Sequence, residues 1–122
     1  MEKEIKIHRE MYAALPDRFR VKIEHDLQYL LQAGIPGLRK VYLFGSCARG
    51  EVRSTSDIDL MVLTEDKIAD RALAADIRWS LDDPINGVRT DLVFKNEQAN
   101  TTDSVFDKAL ERDKKLILEV SK

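Results

Sequence analysis

The sequence contains a single cysteine, Cys47, among its 122 residues. One cysteine excludes an internal disulfide and any metal site built from several thiolates. The hydrophobic runs fall well short of the ~20 residues that a membrane helix needs. The N-terminal stretch MEKEIKIHRE also lacks the apolar segment of a secretory signal. These absences predict a cytoplasmic protein with no membrane partner.

An excess of charge of one sign is also missing. The chain has 20 Lys and Arg residues against 22 Asp and Glu residues, which gives a net charge of −2. Proteins that hold nucleic acid by bulk charge are strongly basic, so this balance disfavours a nucleic-acid partner. Hydrophobic residues make up 43% and charged residues 34% of the chain, a mixture that suits one packed domain over residues 1–122.

Hydrophobic spacing and turn residues predict an alternation of helices and strands. A helix is expected over residues 17–33, with Asp17 as its N-cap and Gly34 as the residue that ends it. The other predicted elements are strands over 40–44, 57–63 and 88–94, helices over 67–81 and around 105–110, and a last strand around 116–120.

This order of elements predicts an α/β (α+β) domain with a small mixed β-sheet flanked by helices. Leu116, Leu118 and Val120 alternate along the last strand, which is typical of a strand with one buried face. Residues 1–16 show a weak helical stripe that Pro16 interrupts, and they are interpreted as an N-terminal extension or helix.

Asp57 and Asp59 stand in an otherwise apolar strand. Residues two apart on a strand face the same side, so the two carboxylates can reach one cation, and oxygen ligands favour Mg²⁺, Mn²⁺ or Ca²⁺. Taken alone, the pair also fits a solvated strand start that caps a turn. Asp91 in the next predicted strand adds a third carboxylate, and three carboxylates on adjacent strands are typical of a two-metal site.

Gly45 and Ser46 follow the first strand and open a short predicted helix. Glycine permits a phosphate to approach the backbone, and the serine hydroxyl adds a hydrogen-bond donor. A plain strand-to-helix turn explains the same two residues. Arg49 is either a phosphate ligand or a solvated helix residue. Together with the carboxylates, these residues indicate transfer of a phosphoryl or nucleotidyl group.

Gly45-Ser46, ten further residues and then Asp57-Ile58-Asp59 resemble the signature of the DNA polymerase β-like nucleotidyltransferase superfamily. The wider pattern resembles its minimal nucleotidyltransferase (MNT) branch, and Arg89-Thr90-Asp91 matches the position of the third carboxylate. The resemblance implies a nucleotidyltransferase fold and Mg²⁺-dependent transfer of NMP, with ATP as the expected donor and pyrophosphate as the second product. It covers residues 38–120.

The resemblance also implies a role for each matching residue. Asp57 and Asp59 would bind two metal ions, and Asp91 would bind the catalytic metal and help to deprotonate the acceptor hydroxyl. Gly45 and Ser46 would hold the triphosphate, and Arg49 would lie near the phosphates. All six residues are therefore candidate site residues.

Three functions are compatible with this site. The chain is too short to carry a separate acceptor domain, which favours an antitoxin that transfers AMP to a helical HEPN-type toxin, as MNT relatives of this size do. A homodimer that modifies a small molecule such as an aminoglycoside is the second candidate. A binding antitoxin without catalysis is the third, and an intact carboxylate set argues against it.

The remaining candidates for chemistry are interpreted as structural. Cys47 is expected to be a small packed thiol, because no histidine lies near it in the sequence to activate it. His8 and His25 lack a ligand-spaced partner and are expected at the surface. Trp79 is expected in the core or at an interface.

Overall fold

The computed structural model describes residues 4–97 and 112–121. The elements in chain order are strand β1 (Glu4–Ile7), a 3-10 turn (Arg9–Met11), helix α1 (Asp17–Gln32), strand β2 (Leu38–Phe44), helix α2 (Gly45–Arg49), strand β3 (Ile58–Thr64), helix α3 (Arg71–Asp82), strand β4 (Thr90–Asn96) and strand β5 (Lys115–Ser121). Within the described ranges, no helix is long and apolar enough to cross a membrane.

The five strands form one mixed sheet in the order β1-β5-β2-β3-β4. β3 and β4 run parallel, and the other neighbouring strands are antiparallel. This confirms the predicted mixed sheet with flanking helices. The helix predicted around 105–110 lies outside the described residues.

Helices α1 and α3 cover one face of the sheet. Their apolar side chains share one buried cluster with alternate residues of β3. Members of this cluster include Phe19, Ile23, Leu27, Ile58, Leu60, Val62, Ile77 and Leu81. Because side chains alternate along a strand, the burial of Ile58 and Leu60 directs Asp59 to the opposite face.

The N-terminal segment differs from the expected helix. Residues 4–7 form an edge strand whose Ile5 and Ile7 pair with Val120 and Leu118 of β5. The local helical stripe is weak, and hydrogen bonding to an otherwise open strand edge outweighs it. The expected alternation along β5 is interrupted, because the β2–β5 register shifts between Val41 and Tyr42 and skips Ile117, so that Ile117 and Leu118 are both buried in the same core cluster.

The helix boundaries show two further differences. Pro16 rather than Asp17 holds the N-cap position of α1, and its carbonyl accepts the backbone N–H groups of Phe19 and Arg20. Helix α3 begins at Arg71 rather than near residue 67, because the Asp70 side chain caps it by accepting the backbone N–H of Leu73 at 3.1 Å.

The exposure of the tryptophan and of the two histidines can be compared with the predictions made from the sequence. Trp79 is 81% exposed, so of the two expected positions the core is wrong and the interface stays a prediction. His25 is exposed as predicted, whereas His8 is only 30% exposed and its Nε2 lies 3.2 Å from Glu119. Gly34 ends α1 with a φ of +71°, as predicted.

Candidate active site

The carboxylate cluster lies where β3 and β4 begin. Asp59 and Asp91 are paired directly across the parallel strands, which places their backbones about 4.8 Å apart. Asp57 precedes β3 by one residue and is exposed, as is Asp91, while Asp59 is half-buried. The structure therefore brings together the three aspartates that the sequence singled out.

The turn that follows β2 lies against this cluster. In the β2–β3 register Phe44 is opposite Asp59, so Gly45 comes directly beside that carboxylate. Gly45 has a φ of +72°, and a Cβ there would overlap the Asp59 carboxylate oxygen and lie 3.1 Å from its Cγ. Glycine is needed at this position both for the left-handed backbone and for the space that Asp59 occupies.

Helix α2 continues from that turn. Ser46 lies in its first turn, Cys47 and Ala48 are buried, and Arg49 is exposed at its end. Gly50 then takes a left-handed conformation with a φ of +74° and ends the helix. This confirms the short helix that was predicted to follow the first of the sequence-predicted strands.

Arg49 is held by carboxylates outside the predicted set. Its Nη1 donates to Asp113 Oδ2 at 2.9 Å, and its Nε donates to Glu51 Oε2 at 3.3 Å. The positive charge of the guanidinium also offsets part of the rise in the pKa of Asp59 that burial and the neighbouring aspartates cause. Sequence reasoning missed Asp113 as a partner, since the contact joins residues 64 positions apart.

The cluster carries more negative charge than its surroundings balance. The pKa of Asp59 is raised from 3.8 to about 6, first because the carboxyl group is partly removed from water and then because Asp91 and Asp57 repel its charge. A cation at this position would relieve that repulsion. The donor set consists of carboxylate oxygens, which suit a hard divalent ion such as Mg²⁺.

A complete protein-only metal site is not preformed. Within residues 4–97 and 112–121, no three acidic, histidine or cysteine side chains are arranged to hold one ion. Mg²⁺ commonly binds one or two carboxylates together with substrate phosphates, so the cluster fits an ion that arrives with a nucleotide.

Cys47 lies beside the cluster but is not activated. Its side chain is buried, and its Sγ donates to the backbone oxygen of Asp57 at 3.5 Å. Burial, followed by the charges of Asp59 and Asp57, raises its pKa to about 11. The thiol is therefore a packing group, as predicted, and holds the turn before β3.

A buried polar network lies on the other side of the strands. Lys22 Nζ donates to Asp26 Oδ1 at 2.6 Å and to the backbone oxygen of Leu81 at 2.8 Å. The Thr90 hydroxyl donates to the second oxygen of Asp26, and all three side chains are almost fully buried. Thr90 precedes Asp91 and pairs with Ile58, so this network anchors the strand starts that carry the aspartates.

Sequence reasoning also missed this network. Lys22 and Asp26 are four residues apart in a helix, a spacing that is usually a solvent-exposed ion pair. The one available signal was that the apolar Phe19, Ile23 and Leu27 surround them on the same helical face.

The fold and the site together define a nucleotidyltransferase-type protein. The family model for polymerase beta, nucleotidyltransferase, matches residues 27–122, which is most of the chain. The chain therefore belongs to the polymerase β nucleotidyltransferase family.

The chain is also similar to a protein adenylyltransferase. The chain is 39% identical over 66 residues to the protein adenylyltransferase MntA of Shewanella oneidensis, and the match covers 52% of this chain and 48% of that protein. The chain thus matches about half the length of this relative.

Two solved structures share the fold. Both are variants of a toxin–antitoxin complex named MntA–HpeT. One carries two Asp-to-Glu substitutions two positions apart, with 27% identity, a TM-score of 0.55 and coverage of 76% of this chain and 70% of that chain. The other carries a Tyr-to-Ala substitution, with 28% identity, a TM-score of 0.52 and coverage of 77% and 69%.

Replacing Gly45 by alanine is expected to damage the site specifically. The positive φ costs about 1–2 kcal/mol for a residue with a Cβ, and the added methyl would also displace the Asp59 carboxylate. Gly34→Ala is a matched control, since Gly34 has a φ of +71° and nothing within 4 Å of an added Cβ. Denaturant unfolding and nucleotide-binding assays should show a larger loss for Gly45→Ala, and equal losses would contradict the close approach to Asp59.

The Asp59→Asn variant is expected to be more stable than the wild type without divalent ions. Because the folded-state pKa of Asp59 is raised, the folded chain binds the proton more tightly, and stability falls as the pH rises from about 4 through 6. The rise in the Asp59 pKa corresponds to a loss of about 3 kcal/mol in the free energy of unfolding for a fully buried group. Because Asp59 is only half-buried, solvent screening reduces this loss to about 1 kcal/mol.

This expectation is measured by thermal unfolding in EDTA at pH 4.5 and pH 7. At pH 7 the variant should unfold about 3–5 °C higher than the wild type, with a smaller gain at pH 4.5. A variant no more stable than the wild type at pH 7 would show that Asp59 is not electrostatically strained.

Proposed function

We propose that this chain transfers AMP from ATP to a hydroxyl group of a helical HEPN-type protein, in the manner of an antitoxin that modifies its toxin. The observation that carries the proposal is the direct pairing of Asp59 and Asp91 beside Gly45. That arrangement places carboxylates from two strands next to a turn where a phosphate can approach the backbone. Membership of the polymerase β nucleotidyltransferase family supports the type of reaction.

The carboxylates are proposed as the metal ligands. Asp57 and Asp59 would hold up to two Mg²⁺ ions, and Asp91 would share the ion nearest the acceptor. When bound, Mg²⁺ supplies positive charge that offsets the triphosphate and the developing negative charge in the transition state. The raised pKa of Asp59 supports this assignment, because burial and then repulsion from Asp91 and Asp57 disfavour the charged carboxylate, and a bound cation would offset both.

The other site residues position the nucleotide and handle the proton. Gly45 and Ser46 would bind the triphosphate through backbone N–H groups and the Ser46 hydroxyl. Arg49, now paired with Asp113 and Glu51, would turn toward the phosphates. Asp91 would take the proton from the hydroxyl group of the acceptor protein while that hydroxyl oxygen forms a bond to the α-phosphorus of ATP. The bond between the α-phosphorus and the bridging oxygen of the leaving pyrophosphate breaks at the same time.

The partner is proposed from similar proteins. The relative from Shewanella oneidensis is named a protein adenylyltransferase, and two fold neighbours were solved as toxin–antitoxin complexes. One of those complexes carries two Asp-to-Glu substitutions with the spacing of Asp57 and Asp59. A protein acceptor is therefore favoured over the alternative of a homodimer acting on a small molecule such as an aminoglycoside.

The test is a transfer assay with α-labelled ATP, Mg²⁺, the purified chain and a purified helical HEPN-type protein. Label should appear on the helical protein and should be absent when EDTA replaces Mg²⁺. Label on an aminoglycoside instead would support the homodimer. Neutralisation of the toxin without any labelling would support an antitoxin that acts by binding alone.

A further inference from the structure

A second concave surface lies at the far end of β3 and β4. It is a groove of about 470 Å³ between α3 and the end of β4, and it includes Thr64 at the end of β3. Asp59 and Thr64 are five residues apart on an extended strand, a distance of about 17 Å. The groove is therefore separate from the carboxylate cluster.

The groove is positively charged. Among the described residues, four cationic side chains line it and no carboxylate does: Lys67, Arg71, Arg78 and Lys95. None of the four forms an ion pair with another described side chain. In a chain with a net charge of −2, this concentration of positive charge, without an ion-pair partner in the part of the chain that the structure describes, marks a surface that attracts an acidic ligand.

The floor of the groove is apolar. Ile68, Ala74, Ala75 and Phe94 contribute to it, and the Arg78 guanidinium lies 5.2 Å from the centre of the Phe94 ring. A ligand that fits must therefore combine apolar contact with negative charge.

The spacing along α3 matches a second helix. Arg71, Ala74, Ala75 and Arg78 occupy positions i, i+3, i+4 and i+7, so they form one stripe about 10 Å long on the helix surface. The two small alanines in the middle permit close approach of another backbone, and the arginines at either end would pair with acids one heptad apart.

We propose that this groove is a docking site for an acidic amphipathic α-helix of a partner protein. Two acidic residues seven positions apart contact Arg71 and Arg78, and the apolar side chains between them pack on Ala74, Ala75 and Phe94. The inference rests on the proposed function in one respect, namely that the partner is the helical acceptor protein.

A nucleic-acid strand fits this groove less well. Single strands bind along a track of cations with aromatic faces open for base stacking. Here Arg78 covers the one aromatic ring in the lining, and alanines occupy the centre of the stripe.

The test uses two matched tryptophan substitutions on α3. Ala72 and Ala75 are both exposed, but only Ala75 lines the groove. Binding to the purified HEPN-type protein is measured by calorimetry for Ala75→Trp and Ala72→Trp, with thermal unfolding of each variant to check the fold. Ala75→Trp should weaken binding at least tenfold, and Ala72→Trp should change it less than twofold.

Charge reversal provides the second arm. The Arg71→Glu/Arg78→Glu variant should also bind at least tenfold more weakly at 50 mM salt, and the difference from wild type should shrink at 500 mM salt because surface charges are screened. Wild-type affinity for Ala75→Trp or for the charge variant would overturn the proposal. If the groove variants bind the partner normally but bind polyuridylic acid more weakly, the proposal is overturned in favour of a nucleic-acid strand. If they bind the partner normally but self-associate more weakly in sedimentation, it is overturned in favour of a second copy of this chain.

The docking inference and the proposed reaction fail in different ways. If the partner is labelled by wild type and the groove variants bind it normally, only the docking site is wrong. If the groove variants lose binding but wild type never labels the bound partner, only the proposed chemistry is wrong. Absence of binding by the wild-type chain overturns the docking site outright.

Discussion

Replacing Asp57 or Asp59 by alanine is expected to reduce nucleotidyl transfer to the partner about a thousandfold or more. Each substitution removes a carboxylate that would bind Mg²⁺, and the charge stabilisation that depends on it is worth several kcal/mol, with about 1.4 kcal/mol for each factor of ten in rate. The measurement is the initial rate of label transfer from α-labelled ATP at saturating partner.

The structure predicts that these variants remain folded. Asp57 is exposed, so its truncation removes no core packing, and loss of the Asp59 carboxylate relieves repulsion from its neighbours. Complex formation with the partner should therefore persist while transfer is lost. Asp76→Ala, an exposed aspartate on the outer surface of α3, is the matched control and should keep the wild-type rate.

Two results would contradict the assignment. Transfer by both Asp57→Ala and Asp59→Ala at near wild-type rates would remove the carboxylates from the chemistry. Loss of transfer in Asp76→Ala as well would show that the assay responds to any change of charge on the chain.

Replacing Lys22 by methionine is expected to lower the free energy of unfolding by about 3–5 kcal/mol, the cost of leaving one charge of a buried pair without its partner. The Asp26 carboxylate would keep the hydrogen bond from the Thr90 hydroxyl and the His25 ring at 3.7 Å, in a position with no access to water. Burial already raises the pKa of Asp26 despite the hydrogen bonds from Lys22 and Thr90, so loss of Lys22 would raise it further.

A double-mutant cycle isolates the pair. Lys22→Met combined with Asp26→Leu should cost less than the sum of the two single variants, because no isolated charge remains. Lys6→Met, at an exposed lysine on β1, should change stability by less than about 0.5 kcal/mol. Urea unfolding measures all four, and additive losses in the cycle would show that Lys22 and Asp26 do not interact as the structure places them.

The buried pair also connects stability to the site. The Thr90 hydroxyl donates a hydrogen bond to Asp26 of α1, and Asp91 is the next residue along β4. Weakening of the network therefore loosens the start of β4. In Lys22→Met, a loss of transfer measured well below the unfolding temperature would indicate that the network positions Asp91.

Much of the fold was predictable because its strongest elements have local signatures. The α1 pattern of Phe19, Ile23 and Leu27 repeats at helical spacing over about two turns, and the runs that became β2, β3 and β4 are rich in apolar and β-branched residues. The first residues of the helices were less predictable. Asp70 and Pro16 hold the N-cap positions of α3 and α1, but neighbouring residues in the sequence are equally suited to those positions.

The N-terminal strand shows why other elements were not predictable. Residues 4–7 have too few apolar positions to favour one period, and they become a strand because β5 offers them a hydrogen-bonding edge. The exposure of Trp79 has a related cause, because the stripe of α3 that faces the sheet is set by Ile77 and Leu81.

The sequence by itself determined the chemical groups of the candidate site. Asp57 and Asp59 share a side because side chains alternate along any strand, and the Gly45-Ser46 turn follows a strand that ends at a glycine. These are properties of the backbone over a few residues, so they can be recognised before any tertiary contact is known.

Only the tertiary structure decided how those groups meet. The parallel register of β3 and β4 places Asp91 beside Asp59, and the β2–β3 register brings Gly45 against the same carboxylate. It also buries Lys22 and Asp26 beneath the site and gathers the cations of the groove beside α3. The physical reason is that strand register, burial and charge balance depend on residues far apart in the chain, which local patterns do not specify.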